Sequence, residues 1–204
     1  MSWIHPNTIL HGNLVELIPL EYGYFEELTN LAREYKIWEF IPDNMSNSER
    51  CHLAFRNAIN QREKGNQFPF VIFHKKENKI IGSTRLMNIE PDFKKLEIGW
   101  TWLHPDYWAT LVNLECKLLL LNFCFEELKT IRVQFKTDEN NIRSQKAIRK
   151  IGAQFEGILR NDMIRDNGTY RNSVYFSIII KEWQDVRTHL MSLLNSKLNE
   201  QNNQ

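Results

Sequence analysis

Two stretches of the chain combine residue types that can do chemistry with a position suited to a charged ligand. One is Leu96-Glu97-Ile98-Gly99-Trp100-Thr101-Trp102-Leu103-His104-Pro105-Asp106-Tyr107-Trp108, which runs into a long apolar segment. The other is Asn140-Asn141-Ile142-Arg143-Ser144, leading to Ile151-Gly152-Ala153. Each reads as a strand handing over to a helix. A helix start offers unpaired N–H groups and the positive end of the dipole, so both junctions favour phosphate. Arg143, Lys146 and Lys150 fall at i, i+3 and i+7 and line one helical face with cations, either for a phosphate or as a solvated stripe. Other chemistries find less support. The six histidines share no metal-ligand spacing, so no metal is expected. Cys51, Cys116 and Cys124 form no CxxC, and two of them lie in an apolar helical run, which reads as reduced thiols in a core. Gly152 and Gly157 have the outer spacing of a phosphate loop, but Ile158 stands where lysine would follow.

The elements that must position these residues can be read from periodicity. Asn13 to Leu20 alternates as a strand, and Tyr22 to Tyr35 has helical spacing. Ser46 or Ser48 is expected to cap a second helix ending near Lys64, stopped by Gly65. Strands follow at Phe68–Phe73, Lys79–Asn88 and Lys95–Leu103, the last ended by Pro105. Thr110 to Leu128 is apolar nearly all round and predicts a helix buried on most sides. Ile131–Thr137 is a strand and Asn141–Ile151 a helix. Phe155–Arg165 and Tyr170–Ile180 form a hairpin turning at Asp166-Asn167-Gly168, and a last helix starts near Glu182. This order predicts an α/β (α+β) fold. Short turns make the early strands antiparallel, and the helical connections allow a parallel pair, giving a mixed, mostly antiparallel sheet with helices on both faces.

Composition bounds the rest. With 204 residues, 42% hydrophobic and 25% charged, the chain is expected to make one domain over 13–194, with an extension at 1–12 and a disordered tail at 195–204. A net charge of +1 gives no support to a generic nucleic-acid binder. The apolar run Leu111–Phe125 contains Glu115 and Lys117 and is too short to span a bilayer. No signal peptide is visible, so the expected location is cytoplasmic, with no membrane partner. Trp38, Phe40, Trp100 and Trp102 offer apolar area to a pocket wall, or are plain core.

The block EIGWTWLHPDYW with the helix after it, the block NNIRSQKAIRKIGA and the hairpin EGILRNDMIRDNGTYRNSVYFSI together resemble the GNAT superfamily of N-acetyltransferases, within its bacterial ribosomal-protein N-terminal acetyltransferase-like branch. The resemblance covers roughly Asn13 to Trp183. It implies a GNAT-type sheet whose parallel pair is splayed to admit CoA. It also implies acetyl transfer from acetyl-CoA to a primary amine, of a small molecule or a protein N-terminus, by direct attack. Carried onto this chain, the resemblance places Trp102 and Leu103 along pantetheine, with the Leu103 N–H polarising the thioester carbonyl. The turn Trp108, Ala109, Thr110, Leu111, Val112 and Asn113 would cradle the pyrophosphate, and Asn141 would bond the pantetheine arm. Glu97 would be the general base, through water, or else a charge on a solvent face. Ser144 shares a helical stripe with Ile148 and Ile151 and so points inward; it would serve the leaving thiolate or else satisfy local backbone. Trp38, Phe40 and Trp100 would wall the acceptor. A homodimer through the final hairpin is compatible with this.

One departure stands out. The branch reads Tyr-Trp-Gly-x-Gly at the turn, whereas this chain reads Tyr107-Trp108-Ala109-Thr110-Leu111. A positive φ at Leu111 would cost about 1–3 kcal/mol, and glycine there would then tighten acetyl-CoA binding. The alternative function is therefore a catalytically impaired GNAT-fold binding module that has lost normal acetyl-CoA binding.

Overall fold

The structure, a computed structural model, describes residues 3–202. Its frame is an eight-stranded sheet in the order β1-β2-β3-β4-β5-β6-β8-β7. The strands are β1 (Leu10–His11), β2 (Val15–Pro19), β3 (Phe68–His74), β4 (Lys79–Glu90), β5 (Lys95–Leu103), β6 (Arg132–Asp138), β7 (Gln154–Ile164) and β8 (Tyr170–Ile179). The helices are α1 (Phe25–Ala32), α2 (Ser48–Glu63), α3 (Val112–Asn122), α4 (Ile142–Lys150) and α5 (Trp183–Asn202). β5 and β6 run parallel, and the other neighbouring strands run antiparallel. This is the mixed sheet that the element order predicts.

Strand alternation divides the core between the two faces. In β3, Phe70 and Ile72 enter one apolar cluster and Val71 the other, as a period of two requires. The first cluster packs Leu96, Ile98, Val133 and Phe135 of the sheet under Cys116 and Leu120 of α3 and Trp183 and Leu190 of α5. The second joins Ile80 and Trp102 to Leu28 of α1 and Phe55 and Ile59 of α2.

Several boundaries differ from the sequence reading. The first helical stretch breaks into a tight turn at Tyr22–Tyr24, α1, and another tight turn at Tyr35–Trp38. Asn47, rather than Ser46 or Ser48, caps α2, its Oδ1 accepting the Arg50 N–H at 3.1 Å. The long apolar helix starts at Val112 and widens after Asn122, where the Leu128 N–H donates to Phe123 O, five residues back.

Part of the expected extension at 1–12 packs on the sheet. Leu10–His11 adds a strand to the sheet, and Ile4 is buried in the first cluster. Glu115 of α3 explains why the N-terminal hairpin docks. Its buried carboxylate accepts the N–H groups of Asn13, Leu14 and Val15 at 2.8, 2.8 and 2.9 Å. A Cβ at Gly12 would come within 2.7 Å of the same carboxylate, so glycine is needed there. At the other end α5 continues to Asn202, through most of the stretch expected to fray. Buried Leu190 and Leu194 anchor its earlier turns. Residues 203–204 of that expected tail lie outside the described residues.

Candidate active site

The parallel pair holds together for three residues only. Lys95, Leu96 and Glu97 pair with Arg132, Val133 and Gln134, and the ladder then stops although both strands continue. A bulge in β5 accounts for the divergence. Ser83 sits opposite Trp102 and Arg85 opposite Gly99, so Thr84 alone faces both Trp100 and Thr101. Trp100 takes up the extra residue with φ +49°. A bulge of this kind bends its strand and increases its twist, which swings the end of β5 away from β6 and opens a wedge between them.

The edges of that wedge carry backbone hydrogen-bonding groups. The His104 N–H donates to Ile81 O on β4 at 2.9 Å. By strand alternation the Leu103 amide therefore faces the opposite edge, into the wedge. The Leu103 carbonyl accepts the Trp108 indole N–H at 2.9 Å, and the Leu103 N–H is the other backbone group on that edge.

Beyond β5 the chain makes the tight turn Pro105–Tyr107 and enters α3, whose first-turn N–H groups have no partner within the helix. Thr110 sits at this entry, its hydroxyl donating to Tyr107 O at 2.8 Å and accepting the Val112 N–H at 3.3 Å. Val112 is buried and Asn113 is half-buried.

The backbone of this turn revises the expected position of strain. Leu111 has φ −72° and ψ −18°, ordinary helical values, and its side chain is only 5% exposed within the first core cluster. It fills core space, so the premise that glycine at 111 would relieve a compromised cradle does not hold. The left-handed residue is Ala109, with φ +61°. Ala109→Gly is expected to raise stability by no more than about 1 kcal/mol, because relief of the left-handed penalty is partly offset by glycine's freedom when unfolded. Urea denaturation checks this, and a clear loss of stability would mean the residue is not strained.

On the β6 side, Asn141 caps α4, its Oδ1 accepting the Ser144 N–H at 2.9 Å. The amide nitrogen of Asn141 remains as its donor for a ligand. Ser144 is half-buried in the first turn, on the stripe that carries buried Ile148 and Ile151. Arg143 stacks across to the other side, its guanidinium carbon 3.5 Å from the Trp108 ring centroid. One of the three cations expected to line α4 thus links the starts of the two helices.

Glu97 sits in the last rung of the parallel ladder, at the apex of the wedge. It is 3% exposed, so it is no solvent-face charge. Its Oε2 accepts the side-chain amides of Asn88 and Gln134, both at 3.1 Å. A Cβ at residue 99 would come within 2.9 Å of the Met87 sulfur and 3.1 Å of Oε1, so only glycine fits there. The carboxylate is held by Oε2, and Oε1 makes no hydrogen bond among the described residues.

The aromatic residues separate by burial. Trp38 is 3% exposed; its indole donates to Ala32 O at 2.6 Å and it packs on Trp102, with centroids 5.4 Å apart. It is core rather than pocket wall, because a helix-linking turn buries it. Trp102 is likewise core through its side chain, and by the same alternation its backbone groups face β4, so, contrary to expectation, it does not line the wedge. Phe40 and Trp100 are half-buried. Arg85, Asn88 and Gln134 are the polar side chains here that sequence reasoning missed. Arg85 did leave a signal, as the one charged residue in the strand segment Ile80 to Met87.

The match of residues 15–154 to the family model for the acetyltransferase (GNAT) domain decides the family. The chain belongs to the GNAT acetyltransferases. A solved structure provisionally titled as an acetyltransferase is 30% identical, with a TM-score of 0.81 over 92% of this chain and 94% of that one. The structure titled as Mycobacterium smegmatis RimJ in complex with CoA-disulfide shares the GNAT fold, with a TM-score of 0.79 at 17% identity over 92% of this chain and 95% of that chain. YdaF of Bacillus subtilis (strain 168), provisionally named a ribosomal N-acetyltransferase, is 28% identical over 109 residues. That alignment spans 53% of this chain and 58% of YdaF, less than two thirds of the relative. No helix among the described residues is long and apolar enough to cross a membrane. Among the same residues, no cluster of three or more His, Cys, Asp or Glu could hold a metal.

Proposed function

We propose that this GNAT chain moves an acetyl group from acetyl-CoA to a primary amine by direct attack. One observation carries the reading: the wedge between β5 and β6 has a buried, hydrogen-bonded carboxylate at its apex. The residues fit the cofactor. The free edge of β5 at Leu103 and the amide of Asn141 would hold the pantetheine arm. The residues 108–113 at the start of α3 would hold the pyrophosphate, with Arg143 beside them. When bound, the thioester supplies the activated acetyl group.

The chain's own residues then have separate tasks. Glu97 takes the proton that the acceptor ammonium must lose before it can attack, through a water at Oε1, the oxygen without a hydrogen bond. The Leu103 N–H is placed to stabilise charge on the carbonyl oxygen. The Ser144 hydroxyl is placed to hydrogen-bond the departing sulfur. Trp100 and Phe40 border the acceptor side. The helical geometry of Leu111 removes much of the reason for reading the chain as a binding module without cofactor. YdaF's provisional name supports the ribosomal-protein-like branch and an acceptor that is a protein N-terminus, alongside small amines.

Calorimetric titration with acetyl-CoA tests the first half. Micromolar binding is expected. No binding up to millimolar concentration would overturn the proposal.

A further inference from the structure

Arg85 is a buried cation without a matching anion. It is 6% exposed. Among the described residues it forms no ion pair. Its Nε is buried with no hydrogen-bond partner. The one side-chain bond it makes, from Nη1 to the Gln67 carbonyl, is long at 3.4 Å. Otherwise the guanidinium rests on the Trp100 ring, 4.6 Å from the centroid. Burial pulls its pKa down to about 10, and the groups opposing that are the Cys51 thiol and the carboxylate of Asp43. An unpaired buried guanidinium is costly, and a hydrophobic side chain of similar volume would serve packing better. Five fixed donors with little to bond suit the paired oxygens of a carboxylate or a phosphate.

Its place in the sheet ties it to the reaction. Arg85 pairs with Gly99 and Met87 pairs with Glu97, so Arg85 and Glu97 share one face as diagonal neighbours. Such positions lie roughly 7–8 Å apart in a sheet. Between them lie Gly99, which has no side chain, and Met87, whose flexible thioether reaches over Gly99. The ring that carries the guanidinium belongs to Trp100, the bulge residue at the wedge.

We propose that Arg85 is the anion-recognising group of the acceptor site, and that the acceptor is a small primary amine with a carboxylate or phosphate a few bonds from its nitrogen. The amine would meet Glu97 while the oxyanion meets Arg85. The inference rests on the transferase reading above, and it narrows the acceptor class.

Matched amines test it. Acetyl transfer is measured with β-alanine, O-phosphoethanolamine and n-propylamine, in wild type, Arg85→Met and Arg85→Lys. β-Alanine or O-phosphoethanolamine is expected to exceed n-propylamine at least tenfold in kcat/KM, and which of the two leads separates carboxylate from phosphate. Arg85→Met should bring the ratio to about one through KM for the anionic amine, and Arg85→Lys should restore part of it. Because the ratio is taken within one protein sample, loss of folded protein cannot mimic the result. Arg85→Met is also expected to melt no lower than wild type, since it removes an unpaired buried charge.

Binding of the same amines is followed in parallel by quenching of tryptophan fluorescence. Transfer without preference for the anionic amines, or a preference that survives Arg85→Met, would overturn the proposal and leave the transferase reading standing. Anion binding that depends on Arg85, without transfer to any amine, would keep the site and overturn the transferase reading. Neither binding nor transfer would overturn both.

Discussion

Glu97→Gln is expected to lower kcat about 100-fold or more while acetyl-CoA affinity stays within about twofold of wild type. The argument rests on what each carboxylate oxygen does. Oε2 is engaged by the amides of Asn88 and Gln134, which fix the side chain at the apex of the wedge. Oε1 makes no hydrogen bond among the described residues, and only glycine at 99 fits between it and the Met87 sulfur. Glutamine keeps the shape and can keep an oxygen towards the two amide donors, so the fold should survive. What it loses is a group able to take a proton, and positioned proton transfer contributes roughly 10²–10⁴-fold to rate. Cofactor contacts are assigned to Leu103 at the far end of β5, to α3 and to α4, and the substitution at Glu97 changes none of those residues. Steady-state kinetics with an amine acceptor, together with calorimetric titration of acetyl-CoA, separates the two effects. Full turnover in the glutamine variant would remove Glu97 from the mechanism.

The sequence made some of this arrangement legible and hid the rest, for physical reasons. The strand and helix order, the parallel pair and the two strand-to-helix junctions follow from periodicity and from glycine and proline placement. These are local signals, and tertiary packing left them in place. The N-terminal strand was hidden because it is two residues long and depends on Glu115, a hundred positions away, for its docking. The bulge at Trp100 was hidden because a tryptophan in a strand pattern carries no sign of a positive φ. The turn before α3 misled for a related reason. Two substituted glycines look alike in sequence, yet Leu111 is helical and fills the core while Ala109 alone takes the left-handed conformation. Trp38 and Trp100 were equally plausible pocket walls by type, and only burial separates them. Arg85 was visible as a lone charge in a strand segment and Lys117 as a charge in an apolar helical run. What neither segment reveals is whether the charge finds a partner across the sheet, and that pairing decides its meaning.

Lys117→Met is expected to raise stability at pH 7 by about 1–3 kcal/mol. Lys117 lies on α3 with 7% exposure, and its ammonium donates to Thr101 Oγ1 at 2.7 Å. The Thr101 and Thr84 hydroxyls are in turn 2.7 Å apart. The Phe135 ring lies 5.9 Å away. Thr101 follows the bulge in β5, and Phe135 is the first residue of β6 past the last paired rung, so the ammonium sits against both arms of the wedge just beyond its apex.

Burial pulls the Lys117 pKa from 10.5 to about 8. Because the folded value is the lower one, the unfolded chain holds more protons between about pH 8 and 10.5, and stability rises with pH across that window. Below pH 8 the lysine is charged in both states and the burial cost is fully present. Methionine removes that cost, so the variant should gain most at neutral pH, and its stability should lack the wild-type rise towards pH 10. Thr101 keeps Thr84 as its partner in the variant. Urea unfolding at pH 7 and pH 10 for both proteins tests this, and a less stable variant at pH 7 would mean that the bond to Thr101 outweighs desolvation. Turnover measured on the same samples gives the result functional content. A more stable variant with reduced turnover would show that the fold carries a destabilising cation beside the wedge because catalysis there depends on it.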